Sequence, residues 1–158
     1  AITAAVMEAQ MWCDKMANRQ AMCSVVSGRQ YINVPIGDIL PRLQGTINYG
    51  DGRSVKGSGH VMKFWADNAS FPFKSHDLWF LTENIRWGYL PPNIDTKALI
   101  AKVNREDLWR AAAKELGVAA SDIPTSTSRG IEKFFDGKVF DPANPKAWLD
   151  AQAIKSLA

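Results

Sequence analysis

Apolar positions recur along this chain mostly at helical spacing. Ile2, Val6, Ala9, Cys13 and Met16 follow one another at intervals of four, three, four and three. That pattern predicts a helix already under way at residue 2 or 3, with one apolar stripe. No capping side chain precedes it. A helix that opens uncapped is what a segment cut from a longer chain looks like, so the chain is expected to be a truncated piece. Asn18 is placed to cap a second helix to about Ser27, with Gly28 at the closing position. Pro35 and Pro41 bracket a short helix or turn around 36–40. Residues 45–59 contain five glycines among Asn, Asp and Ser, which predicts a long loop with tight turns. A loop of that length tends to be functional, partner-facing or mobile.

Beyond residue 60 the aromatic density rises, from Phe64 and Trp65 to Trp87 and Tyr89. Ser75 is expected to cap a helix to about Trp87, with Leu78, Leu81 and Ile85 on one face and Asp77 in its first turn. Gly88, Pro91 and Pro92 end it. Asp95 caps the next helix, where Leu99 and Val103 pair at i, i+4. The segment 104–116 is the clearest: Asn104 as cap, Glu106 and Asp107 in the first turn, Arg110 and Lys114 later, and Gly117 closing. Leu108, Ala112 and Leu116 form its expected buried line, widened by Trp109. After Pro124, the Thr/Ser run 125–128 predicts a short helix with Ile131, Phe134 and Phe135. Asp136-Gly137 reads as a tight turn and Val139-Phe140 as a two-residue strand. Asn144-Pro145 opens a last helix through Trp148, Leu149 and Ile154. The fold class is therefore mainly α with a few short strands.

Composition narrows the function classes. The chain has 158 residues, 46% hydrophobic and 22% charged, which is ordinary globular usage and excludes a disordered or collagen-like chain. Its longest apolar runs are too short to span a membrane. Nineteen basic against sixteen acidic residues leave a net charge of +3, too mild to demand nucleic acid. The excess lies in the first half, densest at Arg42, Arg53, Lys56 and Lys63, where a solvated loop is the favoured reading.

No catalytic constellation emerges. Gly52-x4-Gly57-Ser58-Gly59 resembles a phosphate loop, but Lys56 precedes the second glycine where the motif needs Lys and Ser/Thr after it. His60 and His76 are the only histidines. No nucleophile elbow accompanies them, and two scattered imidazoles are no metal site. His76 reads as a helix-start residue bonded to a neighbouring loop. Cys13 and Cys23 lie on consecutive predicted helices. They either pair or serve as two small buried apolar groups, the latter favoured. The tryptophans sit beside Leu, Ile or Phe at helical spacing, as core residues do, and Glu83 pairs with Arg86 on a helix surface. The chemistry points to a binding or structural piece and not to an enzyme.

Four long stretches carry a resemblance. Ser75-His76-Asp77-Leu78-Trp79-Phe80-Leu81-Thr82-Glu83-Asn84-Ile85-Arg86-Trp87-Gly88-Tyr89 is the longest. Lys102-Val103-Asn104-Arg105-Glu106-Asp107-Leu108-Trp109-Arg110, Asp122-Ile123-Pro124-Thr125-Ser126-Thr127-Ser128-Arg129-Gly130 and Phe134-Phe135-Asp136-Gly137-Lys138-Val139-Phe140-Asp141-Pro142 follow it. In that order they resemble the C-terminal part of the nitrate/bicarbonate solute-binding proteins of ABC importers. Glu8-Ala9-Gln10-Met11-Trp12-Cys13-Asp14 and Tyr49-Gly50-Asp51-Gly52-Arg53 are similar too, so the resemblance spans 1–158 as a single truncated segment.

The resemblance implies a C-terminal fragment of a two-lobed α/β periplasmic-binding-protein (type II) fold that clamps a small oxyanion in its cleft. It implies a periplasmic location, or anchoring at the outer face of the inner membrane, and an ABC permease as partner. The anion, nitrate or nitrite first and bicarbonate second, needs donors, a positive charge and no facing carboxylate. The family's pocket uses Trp, Gln, His and Lys positions that lie upstream of this chain. No residue here matches them, so neither His76 nor Lys63 is carried over as a ligand. No cofactor or metal is implied. A regulatory module fused to a transporter ATPase is the alternative, and self-association of the fragment is expected because a missing layer leaves apolar surface open.

Overall fold

The fold is described by a computed structural model covering residues 1–155, in which the chain forms two compact units, Ala1–Ser70 and the part from Phe71 onward. The first unit has three helices: α1 (Ile2–Asp14), α2 (Arg19–Val26) and α3 (Ile36–Leu43). Buried Met22, Cys23 and Leu43 form its core, with Cys13, Ile36, Ile39, Leu40 and Phe64 packed against them.

The helix expected at residue 2 is present, but its buried face is not the expected one. Ala4 and Met7 are buried, whereas Ile2, Val6 and Met16 are 83%, 51% and 52% exposed. A stripe is buried only where another layer lies along it. Of the predicted stripe only Cys13, near the end of α1, reaches the α2–α3 core. Asn18 caps nothing on α2; its Nδ2 donates instead to the Trp12 carbonyl at the end of α1.

The glycine-rich stretch holds more order than a loop. Strands β1 (Ile47–Asn48) and β2 (Ser54–Val55) pair antiparallel, Ile47 opposite Val55. The turn between them is tied by Asn48 accepting from the Gly50 N–H and Asp51 accepting from the Arg53 N–H. These are the Asx turns that Asn and Asp form readily.

The second unit contains α4 (Lys74–Arg86), α5 (Thr96–Val103), α6 (Glu106–Glu115), an antiparallel pair β3 (Glu132–Lys133) and β4 (Val139–Phe140), and α7 (Pro145–Asp150). Two caps, Asp95 and Asn144, act as the sequence predicts, whereas the N-cap of α6 is Arg105 and Asn104 bonds the helix from one residue before it. Asp95 accepts from the Ala98 N–H at 3.0 Å, Asn104 from the Glu106 N–H at 3.0 Å, and Asn144 from the Ala147 N–H at 3.3 Å. Ser75 does not cap α4. The helix starts one residue earlier, and the Ser75 hydroxyl accepts the backbone N–H of Arg129 at 3.1 Å.

Three further expectations for this unit are corrected. The segment around 131–135 is the first arm of a hairpin and not a helix. Phe134 N–H donates to the Lys138 carbonyl and Gly137 N–H to the Phe134 carbonyl, closing the chain on itself at Asp136-Gly137. The side chains then alternate: Ile131 and Phe135 are exposed, while Phe134 joins the aromatic core. On α6 the buried line is Trp109, Ala112 and Ala113, and Leu108 is 46% exposed. The rotation places Trp109 edge-on to Phe71 at 5.0 Å, where a large ring buries more area than Leu108 would. The last helix also ends at Asp150, short of Ile154. Among the described residues no helix is long and apolar enough to cross a membrane.

Candidate functional site

A cleft of about 290 Å³ opens between α4 and the β3–β4 hairpin, lined by His76, Trp79, Arg129, Glu132, Lys133 and Phe134 among others. Its floor is aromatic. Trp79 stacks on Phe134 at 5.4 Å, and Trp148 lies 5.0 Å from Phe134 and 5.9 Å from Phe140. Trp148 is fixed by its Nε1–H donating to Glu83 Oε1 at 2.5 Å. Glu83 in turn accepts from Arg86 at 2.9 Å, the i, i+3 pair that the sequence predicts.

The rim is a polar cluster. His76 Nε2 lies 3.2 Å from Glu132 Oε1, and Arg129 Nε lies 3.5 Å from the same oxygen. His76 is thus bonded to a neighbouring segment, as expected for a residue at a helix start. The Phe73 ring meets the imidazole edge-on at 5.4 Å. Glu132 decides the chemistry of this rim. A ligand that only accepts hydrogen bonds, such as nitrate, is repelled by a carboxylate, and His76 and Arg129 already face that carboxylate. The cluster is an ion-paired clasp over an aromatic floor.

The other residues singled out in the sequence disperse. Lys63 is paired with Asp67 at i, i+4 on an exposed turn. Arg53 pairs with Asp51 at 2.7 Å and lies over the Tyr49 ring at 4.8 Å, so this part of the basic stretch is internally compensated. Cys13 and Cys23 are free thiols. Burial pushes both up from their ordinary pKa, in each against the opposing pull of Arg19, so neither is shifted toward the reactive thiolate. Among the described residues no three His, Cys, Asp or Glu gather closely enough to hold a metal ion.

One constellation has no signal in the sequence. Asp14, at the end of α1, accepts from the Phe64 N–H at 3.0 Å and the Ala66 N–H at 2.7 Å, while Arg19 Nη2 approaches Oδ1 at 3.1 Å. Arg19 is 2% exposed, donates also to the Met62 carbonyl at 3.0 Å, and lies over the Phe64 ring at 5.0 Å. Partners fifty residues apart follow no local spacing rule, so only the folded chain reveals the clasp.

No family model matches the chain. It is 59% identical over 157 residues to the nitrate/nitrite binding protein NrtA of Synechococcus elongatus, covering 99% of this chain and 35% of that protein. It is 44% identical to the bicarbonate-binding protein CmpA of the same species, over 98% of this chain and 36% of CmpA. The crystal structure of the periplasmic nitrate-binding protein NrtA from Synechocystis PCC 6803 superposes with a TM-score of 0.90 at 55% identity, over 98% of this chain and 40% of that one. The chain therefore spans about a third of the length of the curated relatives it matches. In sequence and in fold, this chain is similar to the C-terminal part of the nitrate/bicarbonate solute-binding proteins.

Proposed function

We propose that the chain serves as the C-terminal portion of the extracytoplasmic substrate-binding component of an ABC importer for nitrate or nitrite, in the periplasm or anchored at the outer face of the inner membrane. The observation that carries this reading is the identity of 59% to a relative named for nitrate and nitrite, against 44% to one named for bicarbonate. The relatives' names also support a binding and not a catalytic role.

On this reading the groups that grip the anion lie in the two-thirds of the relatives' length that the chain does not match. Its own part is mechanical: helices and aromatic clusters that complete a lobe. The Glu132 carboxylate on the rim of the α4–hairpin cleft, unfavourable to nitrate, fits that division of labour. The partners are then a small oxyanion and the importer's permease.

The test is a chimera. This chain replaces the matching segment of the Synechocystis nitrate-binding protein, and nitrate and bicarbonate are titrated calorimetrically. Saturable nitrate binding by the chimera supports the proposal. A folded chimera that takes bicarbonate and not nitrate, or neither, overturns it. The 158-residue chain alone should give no heat with nitrate.

A further inference from the structure

A second cleft of about 290 Å³ lies on another side of α4, between its first turn, α5 and the loop at 127–128. Its chemistry differs from that of the Glu132 cleft. The lining side chains include the ammonium groups of Lys74 and Lys97, three hydroxyls and no carboxylate. Lys74 is partly spoken for, since its Nζ lies 3.2 Å from Glu106 Oε1. Lys97 makes no ion pair among the described residues, and its charge stands uncompensated at the rim.

Ser75 supplies an independent observation. It is 5% exposed and lines the cleft, and its hydroxyl oxygen accepts the Arg129 N–H at 3.1 Å. Its own proton has no acceptor among the described residues. Because Ser75 lines the cleft, a ligand acceptor there would take this proton. The remaining wall is apolar, built by Leu78, Ile100 and Pro142. Small-molecule sites combine such apolar walls with a few placed polar groups, and this volume is at the small end of their range.

We propose that this cleft binds a small organic monocarboxylate. The carboxylate would accept from Ser75 and pair with Lys97 and Lys74, and the hydrocarbon part would cover Leu78, Ile100 and Pro142. A bare inorganic oxyanion would leave that wall exposed, and a neutral molecule would leave the Lys97 charge unanswered. This site is independent of the nitrate reading, which places anion capture outside the chain.

The experiment uses the whole 158-residue chain and amide NMR shifts, with sodium isovalerate as probe and 3-methyl-1-butanol and sodium nitrate as controls. At roughly 20 mM, above a millimolar dissociation constant, isovalerate should give saturable shifts at Ser75, Lys97, Thr127 and Ser128. Neither control should reproduce them. Lys97→Gln, at an exposed position, should weaken binding about tenfold, the loss of one charge-assisted contact. Ser75→Ala should weaken it too, with the rest of the spectrum unchanged. Absence of saturable shifts overturns the proposal. So does an equal response to the alcohol or to nitrate, or unchanged affinity in folded Lys97→Gln protein.

Discussion

The Asp14 carboxylate sits 3.1 Å from the buried guanidinium of Arg19 and also accepts two backbone N–H groups of the segment 64–66. One carboxylate thereby joins the end of α1, the start of α2 and a distant turn. Removing one member of a buried ion pair leaves the other charge unpaired, which costs about 3–5 kcal/mol. Asp14→Ala is expected near that range in urea denaturation followed by circular dichroism. Arg19→Met should cost less, because the Asp14 charge keeps its backbone donors. A loss in Asp14→Ala smaller than that in Arg19→Met would contradict this account.

The same carboxylate makes stability depend on pH. Burial acts to raise its pKa, but the N–H groups of Phe64, Ala66 and Trp65 together with the Arg19 charge outweigh burial and hold it below the ordinary value. A depressed carboxylate contributes stability that is fully present above the unfolded pKa of about 3.9. That contribution is lost as pH falls through the lower folded value. Stability measured from pH 5 downward should therefore fall more steeply in the native chain than in Asp14→Asn. Parallel curves would remove Asp14 from the explanation.

Trp148 is 6% exposed and packs against Trp79, Phe134 and Phe140. Trp148→Ala should destabilise the second unit by about 3–5 kcal/mol, as truncated core aromatics do. Trp148→Phe keeps the ring packing and loses the bond to Glu83. It should cost about 1.5 kcal/mol, the value of a hydrogen bond to a charged group. Thermal denaturation should rank the two variants in that order.

Gly137 turns the β3–β4 hairpin at φ +83°, and a Cβ there would meet nothing within 4 Å. Backbone strain alone then sets the effect of Gly137→Ala, about 1–2 kcal/mol for an L-residue in the left-handed region. A neutral effect in the folded chain would show that the turn relaxes to another conformation.

Ile2 and Val6 leave an open apolar stripe on α1. Self-association of the chain through this stripe is expected in sedimentation velocity, and Val6→Lys should weaken it. A native chain that stays monomeric across a wide concentration range would contradict it.

By itself the sequence determined the mainly helical class, most helix positions, the caps at Asp95 and Asn144, the Asp136-Gly137 turn and the Glu83–Arg86 pair. These depend on neighbours within a few residues, where backbone geometry sets which side chains meet. The long stretches from Ser75 to Pro142 also carried the family resemblance, because identity along the chain is itself local. Only the tertiary structure decided which face of α1 is buried, that 131–135 is a hairpin arm, that Asp14 and Arg19 hold a turn fifty residues away, and that Ser75 and Lys97 share a cleft. Those outcomes depend on what packs against each segment, and the periodicity of one element does not specify its partner.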